Sequence, residues 1–393
     1  MRLHRWFGLA GAAFLLVVGL TGGVLAFYEE LDAWMAPQLV AAERLGQPRL
    51  DLAVLAEHAQ ALAPEVLVVE ATWRHDGRQA EIRTQPRAGT NASSDPEFDS
   101  ILLDPWTGAE LGRRTWGDIR QGTINLIPYI YRLHYELALG HPGMLLLGLV
   151  ALGWTLDCFI GLVLTLPMPT QHAGSRRPTK RFWSRWAPAW KIKHPASGTR
   201  RLFDLHRAFS LWCWAVLLVF AWSGVSFNLP SVYEPVMRVL TGYVQSKAVA
   251  TQPETSPSLS WPQALHRARS AMDQASADQG LTVQREVMLR LLPEQGLWLY
   301  RTHTSRDILD RRGASDLYMD AATGQALDFR LPTGQDTGTT ITHWLYALHV
   351  ANVGGWPWRV TVVLIGLVLT LLSVTGVLIW QRKRRVKLPA VKS

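Results

Sequence analysis

Four apolar stretches of bilayer length constrain this chain more than anything else in it: Trp6 to Phe27, Met144 to Leu166, Phe209 to Leu229 and Val360 to Trp380. Each is close to the roughly 20 residues that a helix needs to cross the hydrocarbon core. Inside that core a backbone must satisfy its own polar groups, which leaves helices for runs this long and unbroken. Only 18% of the residues are charged, against about 25% in soluble domains, and the deficit lies in the four stretches. The chain reads as a multi-pass membrane protein. Trp34, Trp154, Trp186, Trp190, Trp356 and Trp358 suit interfacial belts, because an indole is apolar yet carries one N–H.

The formal charge of +9 is unevenly placed. Between Pro167 and Arg201 stand Arg176, Arg177, Lys180, Arg181, Arg185, Lys191, Lys193, Arg200 and Arg201, with no acid among them, and the tail "QRKRRVKLPAVKS" is basic too. The two long segments between apolar runs, about 29 to 140 and 230 to 355, mix acids with arginine. Lys and Arg stay on the cytoplasmic side. Both termini and the middle loop are therefore expected inside, and the long segments outside. The basic loop is explained by topology and contact with anionic lipid; nucleic acid is not an expected partner.

Cys158 and Cys213 both lie in apolar runs. Two such residues make neither a disulfide framework nor a thiolate metal site, and no C-x-x-C-H is present for covalent c-type haem. The first run could also be read as a signal peptide, with "MRLHR" leading it. It is longer than the usual h-region of about 7–15 residues, and its pattern recurs internally, so retention is expected.

The chain is written twice. "LHRWFGL" at Leu3 returns as "LHRAFSL" at Leu205, each leading into an apolar run. "LLDPWTGAELG" (102–112) returns as "YMDAATGQALD" (318–328), and "YRLHYELALGHP" (131–142) as "YALHVANVGGWP" (346–357). The order is the same in both halves. Each half reads as a helix going out, an external insert and a helix returning, which gives two parallel repeats about an axis normal to the membrane. The expected fold is a four-helix transmembrane bundle with two small external α+β domains. In each insert a helical segment precedes a hairpin: "DLAVLAEHAQAL" before strands turning at Asp76-Gly77, and "PQALHRARSAM" before "VMLRLLPEQGLWLYRTHT". "ATQPETSPSLS" reads as a linker. The expected divisions are helices at 1–28 and 204–229, external domains at 29–128 and 230–340, outer segments with returning helices at 129–167 and 341–381, a cytoplasmic loop at 168–203 and a tail at 382–393.

The helix, hairpin and "D-x-x-T-G" turn resemble the PepSY domain. The whole layout, with "LHR" entering one helix and "Y-x-L-H" preceding the next, is similar to the PepSY-associated transmembrane family. That resemblance covers nearly the whole chain. It implies kinship with inner-membrane ferrisiderophore reductases of the ferrioxamine type, and hence an Fe(III)-siderophore as electron acceptor.

Of twelve histidines, four recur at matched positions: His4 with His206, and His134 with His349. The topology puts the first pair at the inner face and the second at the outer face. Two opposed imidazoles fill both axial positions of a haem iron, leaving it no open site and one task, passing electrons. Two b-type haems are therefore expected, ligated by His4 and His206 and by His134 and His349. Arg5 and Arg207 would pair with propionates of the inner haem. Gly8, Gly11, Gly19, Gly22, Gly148 and Gly153 would let a macrocycle approach the helices. His343, Trp344, Tyr346 and Tyr131 are the candidates for meeting a substrate at the outer side. His141, His303 and Asp157 have no assigned role.

The expected activity is haem-dependent reduction of a periplasmic Fe(III)-siderophore. With no G-x-G-x-x-G and no obvious flavin site, the electrons come from a cytoplasmic reductase or a quinol. The alternatives are a non-enzymatic PepSY membrane protein that binds periplasmic peptides or proteases, and an iron-chelate permease. Against the permease, the apolar runs carry almost no acids or bases apart from Asp157.

Overall fold

The computed structural model of the chain describes residues 1–87, 97–167, 181–195, 197–243 and 258–387. Arg176, Arg177, Lys180, most of the linker and the last six residues lie outside them. In chain order the helices are α1 (Arg2–Leu25), α2 (Tyr28–Met35), α3 (Leu52–Leu62), α4 (Leu126–Glu136), α5 (His141–Thr165), α6 (Phe182–Trp186), α7 (Gly198–Trp212), α8 (Trp214–Asn228), α9 (Pro230–Thr241), α10 (Trp261–Asp278), α11 (Thr337–His349) and α12 (Gly355–Lys387). The strands are β1 (Val66–Arg74), β2 (Gln79–Pro86), β3 (Ser100–Leu103) and β4 (Glu110–Arg114), then β5 (Val283–Leu292), β6 (Leu297–Thr304), β7 (Ser315–Asp320) and β8 (Ala326–Arg330). Two compact units result. One joins 1–26, 133–233 and 356–393; the other joins 27–132 and 234–355.

In the first unit α1, α5 and α12 are long and apolar enough to cross a bilayer. At about 1.5 Å per residue, even the 24 residues of α1 exceed a hydrocarbon core of roughly 30 Å. The third apolar run departs from the single helix expected over 204–229. The helix begins at Gly198, capped by the Ser197 hydroxyl on the Arg200 N–H, and α7 and α8 meet at Cys213 with a bend of 72°. Taken together the bent pair makes a fourth crossing; taken apart, three helices among the described residues qualify. The Trp214 indole N–H donates to the Cys158 carbonyl (2.9 Å), which ties the start of α8 to α5.

Glycines bring the helices of this unit together. A Cβ on Gly366 of α12 would stand 2.3 Å from the Gly19 carbonyl oxygen of α1. No side chain fits there, and such small-residue contacts are how helices approach closely in lipid. Gly148 meets Asn228 and Leu229, and Gly153 meets Phe7. Of the glycines expected to seat a macrocycle, these three and Gly11, which lies against Phe7, serve packing of the protein itself, and Gly8 faces open space.

The second unit is two layers. Eight antiparallel strands run in the order β4-β3-β2-β1-β5-β6-β7-β8, with α3 and α10 on one face. The two inserts, each expected as a small α+β domain, share one sheet through β1 and β5, where Glu70 pairs with Arg290 and Thr72 with Met288. Left apart, each of these strands would expose a row of unpaired N–H and C=O groups; joining removes both edges. The helix-covered face holds Leu55, Ile82, Ile101, Leu265, Leu289 and Trp298, all almost solvent-free. Each such burial contributes roughly 1.5–3 kcal/mol.

The "D-x-x-T-G" turns are the same object built twice. The Asp104 carboxylate accepts from the N–H groups of Trp106 (2.8 Å) and Thr107 (3.1 Å), and that of Asp320 from Ala322 (3.1 Å) and Thr323 (2.7 Å). Gly108 (φ 73°) and Gly324 (φ 68°) then reverse the chain in the left-handed region that glycine enters freely. On the face away from α3 and α10, alternation places an ion-pair ladder whose carboxylates are largely buried. Glu70 lies between Arg290 (3.3 Å) and Arg83 (3.8 Å), and Arg301 grips Asp316 with two bonds of 2.6 and 2.7 Å.

Candidate functional site

His4 lies in the first turn of α1 and His206 in the body of α7. Their rings are neighbours, with centroids 6.1 Å apart and planes at 71°. The Nδ1 atom of His4 is 2.9 and 3.0 Å from the two carboxylate oxygens of Asp157 on α5. A carboxylate accepts, so Nδ1 carries the proton. The Nδ1 atom of His206 is 3.0 Å from the Thr375 hydroxyl on α12, and that hydroxyl spends its own proton on the Leu371 carbonyl (2.7 Å). It too must accept. Both imidazoles are thereby held with Nδ1 protonated and engaged, which leaves Nε2 as the nitrogen available to ligate a metal.

The spacing fits a shared metal. Two metal–imidazole bonds of about 2 Å each, plus roughly 1 Å from each nitrogen to its ring centre, sum to about 6 Å. The floor beneath the rings is duplicated as well. The atom nearest a Cβ on Gly161 would be His4 Cε1 (3.9 Å), and nearest one on Gly376, His206 Cε1 (3.5 Å). Gly161 follows His134 by 27 residues, and Gly376 follows His349 by 27. Among the described residues no three His, Cys, Asp or Glu side chains gather as a metal site. Two imidazoles with hydrogen-bonded Nδ1 atoms suit an iron whose other four ligands come from a macrocycle, so the donor set fits haem.

The family described as the PepSY-associated TM region matches residues 1–383. The chain belongs to that family. No curated protein was found to match it.

In this PepSY-associated protein the two arginines that follow His4 and His206 are not equivalent. Arg207 donates through Nε to the Ala189 carbonyl (3.0 Å) and through Nη2 to the Pro188 carbonyl (3.0 Å) and Asp204 (2.9 Å). Asp204, fully buried, also takes Arg200 Nε at 3.1 Å. Arg207 thus fastens the segment Ala187–Trp190 to α7 instead of standing ready for a propionate. Arg5 remains exposed, its guanidinium 5.2 Å from the centre of the Trp6 ring.

His134 sits on α4. Its Nδ1 is 2.9 Å from the Thr21 hydroxyl, which donates to the Val17 carbonyl at 2.7 Å, so the same tautomer is fixed by the same device. Gly22 leaves room for it, since a Cβ there would lie 3.0 Å from its Cε1. The Asn228 amide clamps the corner beyond, donating to the carbonyls of Tyr135 (2.9 Å) and Met144 (3.1 Å). His349, the last residue of α11, belongs to the other unit.

In that unit Tyr131 packs edge-on against Trp116 (5.4 Å) and Tyr28 (6.0 Å). Burial, with Tyr346 nearby, pushes its hydroxyl pKa up. Burial also lowers the pKa of His343, so that ring is neutral near pH 7. Trp344 is exposed and Tyr346 half-buried on the same helix. His141 is exposed at the start of α5. His303 is structural: its Nε2–H donates to the Leu309 carbonyl (2.7 Å) and holds a loop against β6.

Sequence reasoning singled out Asp157 without giving it a role, and missed Thr375, Thr21, Gly161 and Gly376. The repeat carried a signal for the two glycines; for the three hydrogen-bond partners it carried none.

Proposed function

We propose that this PepSY-associated transmembrane protein is a b-type haem electron carrier of the bacterial inner membrane that reduces a periplasmic Fe(III)-siderophore. The observation that carries the reading is the His4–His206 pair: rings 6.1 Å apart, drawn from repeated "LHR" segments. In both, Nδ1 is engaged and Nε2 is left for iron. A haem bound there supplies one-electron transfer. His4 and His206 are the residues that would hold it, while Asp157 and Thr375 keep the two rings oriented.

The reading extends to a second haem on His134 and His349, supported by the duplication and by the Thr21 bond that prepares His134. It also takes the four apolar runs as a bundle of two parallel repeats with both termini in the cytoplasm. Electrons enter from a cytoplasmic reductase or a quinol. At the outer side the chelate takes one electron, and its Fe(III) becomes Fe(II), which hard oxygen donors hold far less well. The aromatic and histidine residues of α11, His343, Trp344 and Tyr346, with Tyr131, offer flat apolar surface with polar tips for such a chelate.

An absorption spectrum of the purified chain with a pyridine haemochrome count tests this directly. Two haems per chain are expected, with one lost in His4→Ala or His206→Ala. A chain that carries none would instead favour a PepSY membrane protein that binds periplasmic peptides. Full haem content in all four single His→Ala variants would refute the ligand assignment.

A further inference from the structure

We infer that Asp157 is a positioning residue that makes the two histidines of the inner site chemically unequal, lowering the reduction potential of the haem they hold. This rests on the haem reading above. Asp157 is the only carboxylate in α1, α5, α8 and α12, and an acid in a membrane-spanning helix is retained where a partner and a task hold it there. Its side chain is 14% exposed, and both its oxygens lie within 3.0 Å of His4 Nδ1. A helix-to-helix tether would explain one such bond. What a tether does not explain is the difference between the two halves of the site.

The floor of the site is the same on both sides, Gly161 under His4 and Gly376 under His206. The acceptors behind the rings differ: a carboxylate for His4, a neutral hydroxyl for His206. An anionic acceptor draws the Nδ1 proton more strongly and leaves Nε2 the better electron donor. That stabilises the higher oxidation state of the metal it ligates and adds a negative charge close to it. Both effects act in the same direction, toward a haem that gives up its electron more readily. At the electron-entry side of the chain such a haem passes electrons outward downhill.

The test is a reductive titration of the full, haem-loaded chain in detergent, following the visible bands of each haem. Asp157→Asn, which keeps shape and hydrogen bonding but removes the charge, should raise one midpoint and leave the other. The expected size is about tenfold in the oxidised-to-reduced ratio, roughly 59 mV for one electron. Asp157→Glu should stay within a third of that, and Thr375→Val should shift the same midpoint by less than Asp157→Asn does. Loss of one haem in Asp157→Asn but not in Asp157→Glu would also support a role for the charge. Unshifted midpoints in Asp157→Asn with both haems present overturn this inference and leave the functional reading standing. So do equal shifts or equal haem loss in the Asn and Glu variants, or a larger shift in Thr375→Val. A wild-type chain without haem overturns both.

Discussion

The Thr21 hydroxyl stands 2.9 Å from Nδ1 of His134 and gives its only proton to the Val17 carbonyl, so it holds His134 by accepting. Thr21→Val keeps the shape and removes this acceptor, at a cost of about 0.5–1.5 kcal/mol. The haem-to-protein ratio should fall from two toward one, and Thr21→Ser should restore it. A ratio of two in the valine variant would show that this bond does not prepare the outer ligand.

Gly366 and Gly19 set the distance between α12 and α1. In Gly366→Ala the new methyl falls 2.3 Å from the Gly19 carbonyl, so the helices must separate. Overpacking of this kind costs about 1–3 kcal/mol. The thermal midpoint of the detergent-solubilised chain should drop, whereas Gly8→Ala, with nothing within 4 Å, should leave it unchanged. Equal midpoints would mean the two backbones are not in contact.

Glu29 predicts acid sensitivity in the unit that carries the sheet. Burial raises its carboxyl pKa, but Arg74 at 3.1 Å, Arg312 and His75 outweigh that and hold it at about 2, below its ordinary 4.5. The folded pKa is depressed, so the stabilisation is present above pH 4.5 and is lost as pH falls towards 2. A shift of this size corresponds to about 3 kcal/mol. The unfolding midpoint of the full chain should fall across that window, and less steeply in Glu29→Gln. Parallel curves for the two proteins would show that Glu29 is not the group responsible.

The proposed direction of electron flow depends on the topology. A reporter active only in the periplasm should be silent when fused at Gly174, in the basic loop, and active when fused at Gly89, in the first external segment. The opposite pattern would reverse the inside and outside of the proposed carrier.

Substitution of His343, Trp344 or Tyr346 by alanine should slow oxidation of the dithionite-reduced protein by a ferric siderophore several-fold. The reduced spectrum itself should not change. Normal rates in all three variants would move the acceptor site elsewhere on the external unit.

Much of this protein is local, and what is local was legible. Asp76-Gly77 turns a hairpin because strands of period two flank a dipeptide that tolerates left-handed backbone, and β1 and β2 pair accordingly. Asp104 and Asp320 close identical turns because the same side chain reaches N–H groups two and three residues on. The apolar runs form helices because length and composition leave no other solution in lipid. The duplication, read as a pattern, already pointed to His4 with His206.

Tertiary structure alone decided which groups meet across long stretches of chain. His4 finds Asp157 at a separation of 153 residues, and His206 finds Thr375 at 169. No period or spacing encodes such pairs, because they follow from how helices pack. Packing also gave Arg207 to the carbonyls of the Ala187–Trp190 segment, and fused two hairpin sheets into one of eight strands through Glu70 and Arg290. A sequence fixes what each segment can bury; the cost of leaving an edge or a polar group unmet fixes what it is buried against.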